Sequence, residues 1–430
     1  MLRLLRVLLA YYRARCLVFD SREALERHQQ EKLDAFRATL IARSRHYARY
    51  AAIPISMWPE LDKAGMLANF DTMNTAGLKF QKVFDTALAC EHSRDFKPKL
   101  GKINVGLSSG TSGQRGVFAI SDQEAAKWAG IMLAKMLPEG LFAGERVALF
   151  LRANSNVYET VQSRWLTFHF FDLFDSFESN IAALKRYQAT IIVAPAQVLR
   201  ELALKVIVGE TLIRPKKVIS VAEVLEPLDR QLIEQAFHQV HEVYQATEGF
   251  LASTCEHGTL HLNEEYLHIE PCWLDNEQRR FMPIITDFTR LTQPFVRYRL
   301  NDVLIASQAP CPCGRVTRTI EAIEGRCDDA LVLPGKARET ITVFADVLSR
   351  VFVRHLPREA DYRLIQTAET TLRLHASVDE PKLATLKEHL GVTFEQLGVE
   401  SRLIGWELHT TIPTLDSGIK RRRIVRNYHA

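Results

Sequence analysis

Apolar and polar positions follow two different periods along this chain. Residues 20–95, with SREALERHQQEKLDAFRATLIARSRHYARY at their head, place apolar side chains at helical spacing and predict helices. Ser21 stands where an N-cap belongs, with Glu23 and Glu26 following. Next, GKINVGLSSGTSGQRGVFAIS reads as an apolar strand, a Gly/Ser/Thr loop and a second strand. From about 125 to 225, helix-like stretches (DQEAAKWAGIMLAKML, NIAALKRY, QVLRELALKVI) separate short buried-strand runs (RVALFLR, TIIVAPA, KKVISVAE). That alternation predicts a layered α/β domain with a largely parallel sheet. From about 250 to 325 the strands shorten and Pro, Cys and Asp become common, which suggests a β-rich subdomain. The last hundred or so residues read as a compact α+β unit. DYRLIQTAE and TLRLHASV form its hairpin, PKLATLKEHL a helix and RLIGWELHTTI a strand. Neither an internal repeat nor a low-complexity segment interrupts the pattern.

A length of 430 residues implies two or three units. With 47% hydrophobic and 25% charged residues, the composition is that of an ordinary soluble globular chain. Fifty-five basic residues against 51 acidic ones give no reason to expect nucleic acid as a partner. A local basic cluster at Arg421, Arg422, Arg423 and Arg426 fits either a solvated face or an anion site. The seven cysteines are odd in number and lack a secretory framework, so a reducing, cytoplasmic setting is expected. The opening MLRLLRVLLAYYRAR is short, is broken by Arg3, Arg6 and Arg13, and lacks a small-residue cleavage site. It reads as an amphipathic helix packed on the body; the alternative is an interfacial helix with its Leu face in a membrane surface. No apolar run approaches the ~20 residues of a membrane span, so stable insertion is not expected.

Two stretches carry candidate chemistry. In Ser108-Ser109-Gly110-Thr111-Ser112-Gly113-Gln114-Arg115-Gly116, glycines allow close backbone approach while hydroxyls and N–H groups can cradle a polyphosphate. No Gly-Lys-Ser/Thr follows and a strand comes next, so this is not a Walker loop, and a plain flexible hairpin is the competing reading. Cys311-Pro312-Cys313-Gly314 forms a tight turn that can aim two thiols at one point. Upstream, Cys255, His257 and His261 offer a third thiol and two imidazoles. Four such ligands make a tetrahedral zinc site; free thiols in a turn are the alternative.

Four further motifs follow in order: Tyr244-Gln245-Ala246-Thr247-Glu248-Gly249, Arg297-Tyr298-Arg299-Leu300-Asn301-Asp302, Gly325-Arg326-Cys327-Asp328-Asp329 and Ser417-Gly418-Ile419-Lys420-Arg421. With the Ser108–Gly113 loop, this series resembles the acyl-adenylate-forming superfamily of acyl-CoA synthetases, peptide-synthetase adenylation domains and luciferases. Within it the chain looks closest to the phenylacetate-CoA ligase and deazaflavin-coenzyme synthetase branch. FLRANSNVYETV, SVAEVLEPLD, YQATEGFLAST, GTLHLNEE and QPFVRYRLND are similar to a bacterial clade of probable adenylate-forming enzymes. The resemblance runs from about residue 20 to 425.

It implies a fold and a set of roles. The fold would be α/β: a large adenylation domain over 1–326, with layered parallel sheets and a β-rich subdomain, and a small mobile α+β domain over 327–430. Ser108, Ser109, Gly110, Thr111, Ser112 and Gly113 would hold the β- and γ-phosphates of ATP. Ala222 and Glu223 would lie beside the adenine, with Tyr244 stacked near it and Gln245 alongside. Thr247 would reach the α-phosphate, Glu248 would hold Mg²⁺, and Asp302 would accept hydrogen bonds from the ribose hydroxyls. Arg326 and Asp328 would mark the interdomain hinge. The superfamily usually places Ser/Pro-x-Gly-Lys near its end; here Lys420 sits one place late, and Arg421 to Arg423 could share its charge-neutralising task. Structural zinc would fall to Cys255, His261, Cys311 and Cys313, with His257 competing for the fourth position, and would clamp the β-rich subdomain under the Asp302 loop. Cys16, Cys90, Cys272 and Cys327 read as ordinary thiols.

The implied activity is activation of a carboxylic acid as its acyl-AMP, then transfer to coenzyme A or a carrier protein's phosphopantetheine. The alternatives are a nucleotidyltransferase that leaves AMP on its target and a non-catalytic relative. FHFFDLFDSF, with Phe168, Phe170, Phe171, Phe174 and Phe177, reads either as core or as the wall of an acyl pocket. A pocket so lined, and the family, point to an aryl acid such as a hydroxybenzoate or another hydrophobic acid. Related enzymes are often dimers, so a homodimer is expected.

Overall fold

A computed structural model describes residues 2–93, 98–107, 115–137, 139–151, 162–336, 339–413 and 421–428. The helical period of the first ninety residues produces what it predicts. In Arg22–Arg43 the side chain of Ser21 accepts the Ala24 N–H at 3.2 Å and caps the helix. Leu25, Gln29, Leu33, Phe36 and Leu40 form its buried stripe. Helices Lys63–Met73 and Phe80–His92 follow, and Trp58 is fully buried in the core they share with the first, stacked on Tyr47.

Strands Ile103–Leu107 and Val117–Ser121 pair antiparallel on either side of the Gly/Ser/Thr loop. Ser108, Ser109, Gly110, Thr111, Ser112 and Gly113 themselves lie outside the described residues.

The βα alternation builds five parallel strands. Leu166–Asp172, Glu145–Leu151, Ile191–Ala194, Lys217–Ser220 and Val240–Ala246 lie side by side in that order. All four residues of Ile191–Ala194 are buried, as a strand covered on both faces requires. After Val240–Ala246 the direction reverses: Gly249–Thr254 pairs back on it antiparallel. Leu260–Leu262, Thr319–Arg326, Asp302–Ala306, Arg280–Asp287 and Leu267–Trp273 then extend the sheet antiparallel. The parallel layer and the β-rich part are thus halves of one twelve-stranded sheet. Periodicity reads each half but not the seam between them, because one two-residue turn, Thr247-Glu248, makes the join.

The aromatic stretch divides between edge strand and core. Leu166–Asp172 is the outermost parallel strand, four places from the strand bearing Tyr244. At ~4.8 Å per strand that separation is roughly 19 Å. Phe171 stacks on Phe150 at 4.6 Å within the core, and Phe174 is exposed in the following turn. The strand therefore does not wall a pocket beside Tyr244; alternation sends its rings to different surroundings.

Helices Ala345–His355 and Glu380–Gln396 pack on a four-stranded sheet of Gly405–His409, Thr371–Ala376, Tyr362–Ala368 and Ile424–Arg426. Leu331, Leu333, Leu348, Phe352, Leu364 and Phe394 fill that core, and Leu228 from the helix Pro227–Phe237 joins it. A buried charge network closes the same boundary. Asp229 accepts from Arg200 at 3.1 Å, from Arg421 at 2.8 Å and from Arg423 at 2.8 and 2.9 Å. Arg200 also donates to the carbonyls of Arg358, Glu359 and Ala360. Arg423 is 2% exposed, lies over the Tyr362 ring and donates to Asp361 at 2.9 Å.

Candidate functional site

Ligands of open α/β sheets sit beyond the carboxyl ends of the parallel strands, where the topology switches. Here Lys217–Ser220 runs into Ala222 and Glu223, and Val240–Ala246 runs into Thr247 and Glu248. Glu248 stands at the turn where parallel pairing gives way to antiparallel.

The antiparallel half brings Asp302 and Arg326 to the same place. They face each other as partners at the open end of the hairpin formed by Asp302–Ala306 and Thr319–Arg326. The Tyr244 hydroxyl donates to Asp302 Oδ2 at 2.5 Å. The Tyr244 ring is buried, so what it presents at the site is its hydroxyl, which orients the carboxylate. Burial and the adjacent Asp302 push that phenol well above its usual range, so it stays a donor. Gln245, next along the strand, is exposed.

Burial pushes the Glu248 carboxyl up from its ordinary value, and the Asp302 carboxylate adds to the rise. Its own backbone N–H, Arg290 and the Tyr298 hydroxyl oppose this. A buried carboxyl whose charging a neighbouring carboxylate makes costlier would be relieved by a divalent cation, and both groups are hard oxygen ligands. Arg290, over the Phe295 ring at 4.9 Å, donates to the Thr247 carbonyl at 2.5 Å and fixes the turn.

Two groups escape a reading by motif. Leu61 exchanges backbone hydrogen bonds with Arg297 and Arg299 at 2.9 and 2.8 Å, which docks the start of helix Lys63–Met73 on the site. Burial and Arg326 pull the Lys63 ammonium below its usual range while Glu248 pulls the other way, so Lys63 shares the field of both. The second is Ser220, at the carboxyl end of its strand, whose buried hydroxyl has no partner among the described residues. A lysine at a helix start and a serine ending an apolar run carry no motif; only the tertiary fold assembles them.

Ala222 adopts a left-handed φ of 66°, rare for a residue with a Cβ. Glu223 beside it accepts the Gln197 N–H at 3.2 Å and the Arg421 N–H at 3.3 Å. The backbone just after Lys420 is thereby tied to the Ala222-Glu223 segment, while Lys420 itself lies outside the described residues. Arg421 to Arg423 are not spare cations. Arg421 pairs with Asp229 and Asp361, Arg422 with Asp329 at 2.5 Å, and Arg423 is buried against Asp229. They are ion-paired within the fold and do not form a solvated tail. Asp328 pairs with Asn301 directly after the Arg326 strand.

Cys255, His261, Cys311 and Cys313 place their donor atoms within 4.8 Å of one another. Cys255 Sγ is 3.6 Å from Cys311 Sγ, and Cys313 Sγ is 3.3 Å from His261 Nε2. Zn–S bonds of ~2.3 Å at tetrahedral angles put sulfurs roughly 3.8 Å apart, so the spacing suits such a site. His261 Nδ1 contacts Thr317 Oγ1 at 3.0 Å, leaving Nε2 aimed at the thiols. His257 contributes its backbone N–H to Cys255 Sγ at 3.4 Å and is not among the four. The cluster does not lie under Asp302. It ties the opposite end of the Asp302/Arg326 hairpin to the end of Gly249–Thr254, because Cys311 and Cys313 occupy the connecting loop.

No protein-family model matches the sequence, and no curated protein matches it. Among solved structures, the fold is similar to that of 2-hydroxyisobutyryl-CoA ligase. In its post-adenylation state with 2-HIB-AMP the TM-score is 0.66 at 15% identity, over 94% of this chain and 88% of that one. Against the same ligase with CoA in the thioesterification state the TM-score is 0.54, over 95% and 91%. An anthranilate CoA ligase with anthranoyl-AMP matches at a TM-score of 0.50 and 12% identity, over 74% of this chain and 66% of that one. An amide bond synthetase from Marinactinospora thermotolerans matches at 0.51 and 13%, over 72% and 65%. The chain shares its fold with these ligases and this synthetase.

Proposed function

We propose that this chain is an ATP-dependent ligase that activates a carboxylic acid as its acyl-AMP and passes the acyl group to a thiol. The observation that carries this reading is the convergence of Tyr244, Thr247, Glu248, Asp302 and Arg326 on one end of the sheet, in a fold shared with ligases captured with acyl-AMP. Attack of a carboxylate on the α-phosphate brings two anions together, so the site must supply positive charge. Lys63 and Arg326 stand there, and Lys420 would add a third cation from the segment anchored at Arg421. Asp302, oriented by Tyr244, accepts the ribose hydroxyls, and Thr247 reaches the α-phosphate. Ala222, Glu223 and Gln245 border the base, and the Ser108–Gly113 loop holds the outer phosphates. Glu248 would hold Mg²⁺, whose charge steadies the departing pyrophosphate.

The N-terminal unit spans 1–326 and the mobile unit 327–430, with the hinge at Arg326 and Asp328. The higher likeness to the post-adenylation state and the Glu223–Arg421 tie support an arrangement suited to the first half-reaction. Cys255, His261, Cys311 and Cys313 hold one structural zinc, which pins the far ends of the two hairpins that carry Glu248 and Asp302. With the Phe-rich strand away from Tyr244, what supports an aryl or otherwise hydrophobic acid is the family resemblance and the likeness to an anthranilate CoA ligase; the acceptor is coenzyme A or a carrier phosphopantetheine. Product analysis by mass spectrometry with ATP, acid and acceptor tests the reading. Free AMP plus a thioester supports it; AMP left covalently on the product would make the chain a nucleotidyltransferase instead.

A further inference from the structure

The helix Leu2–Cys16 contributes nothing to the site just described, yet it is apolar on two opposite faces. Its inner face is buried. Val7 and Tyr11 are 0% and 4% exposed, and they join the core that covers the parallel strands. At Gly130 the helix meets Asp122–Met136 backbone to backbone: a Cβ there would come within 2.6 Å of the Val7 carbonyl and 2.7 Å of the Tyr11 nitrogen. The rotation of the helix about its axis is therefore fixed. Its outer face presents Leu2, Leu5, Leu9 and Tyr12, spaced i, i+3, i+7, i+10, and they are 62%, 62%, 48% and 51% exposed. A helix facing only water carries polar residues on that stripe.

Charge decides what covers this stripe. The helix holds Arg3, Arg6, Arg13 and Arg15 and no acidic residue. Arg6, Arg13 and Arg15 are exposed and flank the apolar stripe on both sides. A second copy docked about a two-fold axis would lay arginine along arginine. A bilayer surface with anionic headgroups offers acyl chains to the leucines and phosphates to the guanidinium groups. We infer that Leu2–Cys16 is an interfacial helix that docks this protein on anionic phospholipid membranes, lying in the headgroup plane.

Co-sedimentation of the full chain with vesicles at low ionic strength tests this. With equal parts phosphatidylglycerol and phosphatidylcholine the protein should pellet. Pure phosphatidylcholine should bind it more weakly by on the order of a hundredfold, given three outward arginines. Leu5→Gln with Leu9→Gln should abolish pelleting without shifting the thermal midpoint, because both side chains point outward. Arg6→Gln, Arg13→Gln and Arg15→Gln together should erase the preference for anionic vesicles. The inference fails if the unmodified chain stays in the supernatant with anionic vesicles, or if the leucine pair leaves pelleting unchanged. It also fails if sedimentation velocity without lipid shows a dimer that the leucine pair dissolves, since a second copy would then be the occupant.

Discussion

Asp229→Asn is the sharpest perturbation of the boundary between the helix Pro227–Phe237 and the core of the four-stranded sheet. The carboxylate is 2% exposed and is the common acceptor of Arg200, Arg421 and Arg423, of which Arg200 is 1% and Arg423 2% exposed. Asparagine keeps the shape and one acceptor but removes the charge, leaving three guanidinium groups to repel at low dielectric. Losing one member of a buried ion pair costs about 3–5 kcal/mol. Arg421 and Arg423 retain Asp361, which argues for the lower end, about 3 kcal/mol. Urea titration followed by far-UV and near-UV circular dichroism reads the loss, with both signals needed because a chain of this size can unfold in steps. The pH dependence gives a second check. Burial alone would raise the Asp229 carboxyl, but Arg423, Arg421 and Arg200 outweigh it and hold it below its ordinary value. A depressed carboxyl stabilises fully above the unfolded pKa of ~3.9 and loses that contribution as pH falls through the lower folded value. The stability difference between the unmodified chain and the Asp229→Asn variant should be complete at neutral pH and shrink only in acid. A loss under about 1 kcal/mol, the worth of an exposed pair, would refute the buried network.

Further outcomes follow from the site. Glu248→Gln should abolish acyl-adenylate formation while ATP still binds weakly, read by exchange kinetics beside nucleotide titration. Lys63→Met should slow adenylation by roughly a hundredfold, the effect of losing one group that stabilises developing charge, with the unfolding midpoint kept; unchanged turnover would remove Lys63 from the site. Elemental analysis should find about one zinc per chain, as four ligands require. Cys313→Ser should lose the metal and lower the unfolding midpoint, and metal-free protein of unchanged midpoint would sink the zinc site.

Much of this was legible in the sequence where pattern is local. The Ser21 cap, the buried strand Ile191–Ala194 and the alternation over 125–225 all follow from period and burial. The resemblance named Cys255, His261, Cys311 and Cys313 as a set, and the fold brings these four together without His257. The placement of the cluster was misjudged because sequence order hides which end of a hairpin a loop closes. The aromatic stretch left core and pocket open because ring count does not say which face of a strand each ring takes; the structure puts Phe171 in the core. Arg421 to Arg423 looked like a basic tail because their carboxylate partners Asp229, Asp329 and Asp361 are distant in sequence. Lys63 and Ser220 had no local signal at all.

The central claim is acyl-adenylate chemistry, and ATP–pyrophosphate exchange without any acceptor measures it directly. A panel of aryl, fatty and amino acids should show exchange that depends on one class of acid, is lost in Glu248→Gln, and is strongest for an aryl or other hydrophobic acid. Exchange that proceeds without acid, or that no acid elicits from folded, ATP-binding protein, would contradict the account.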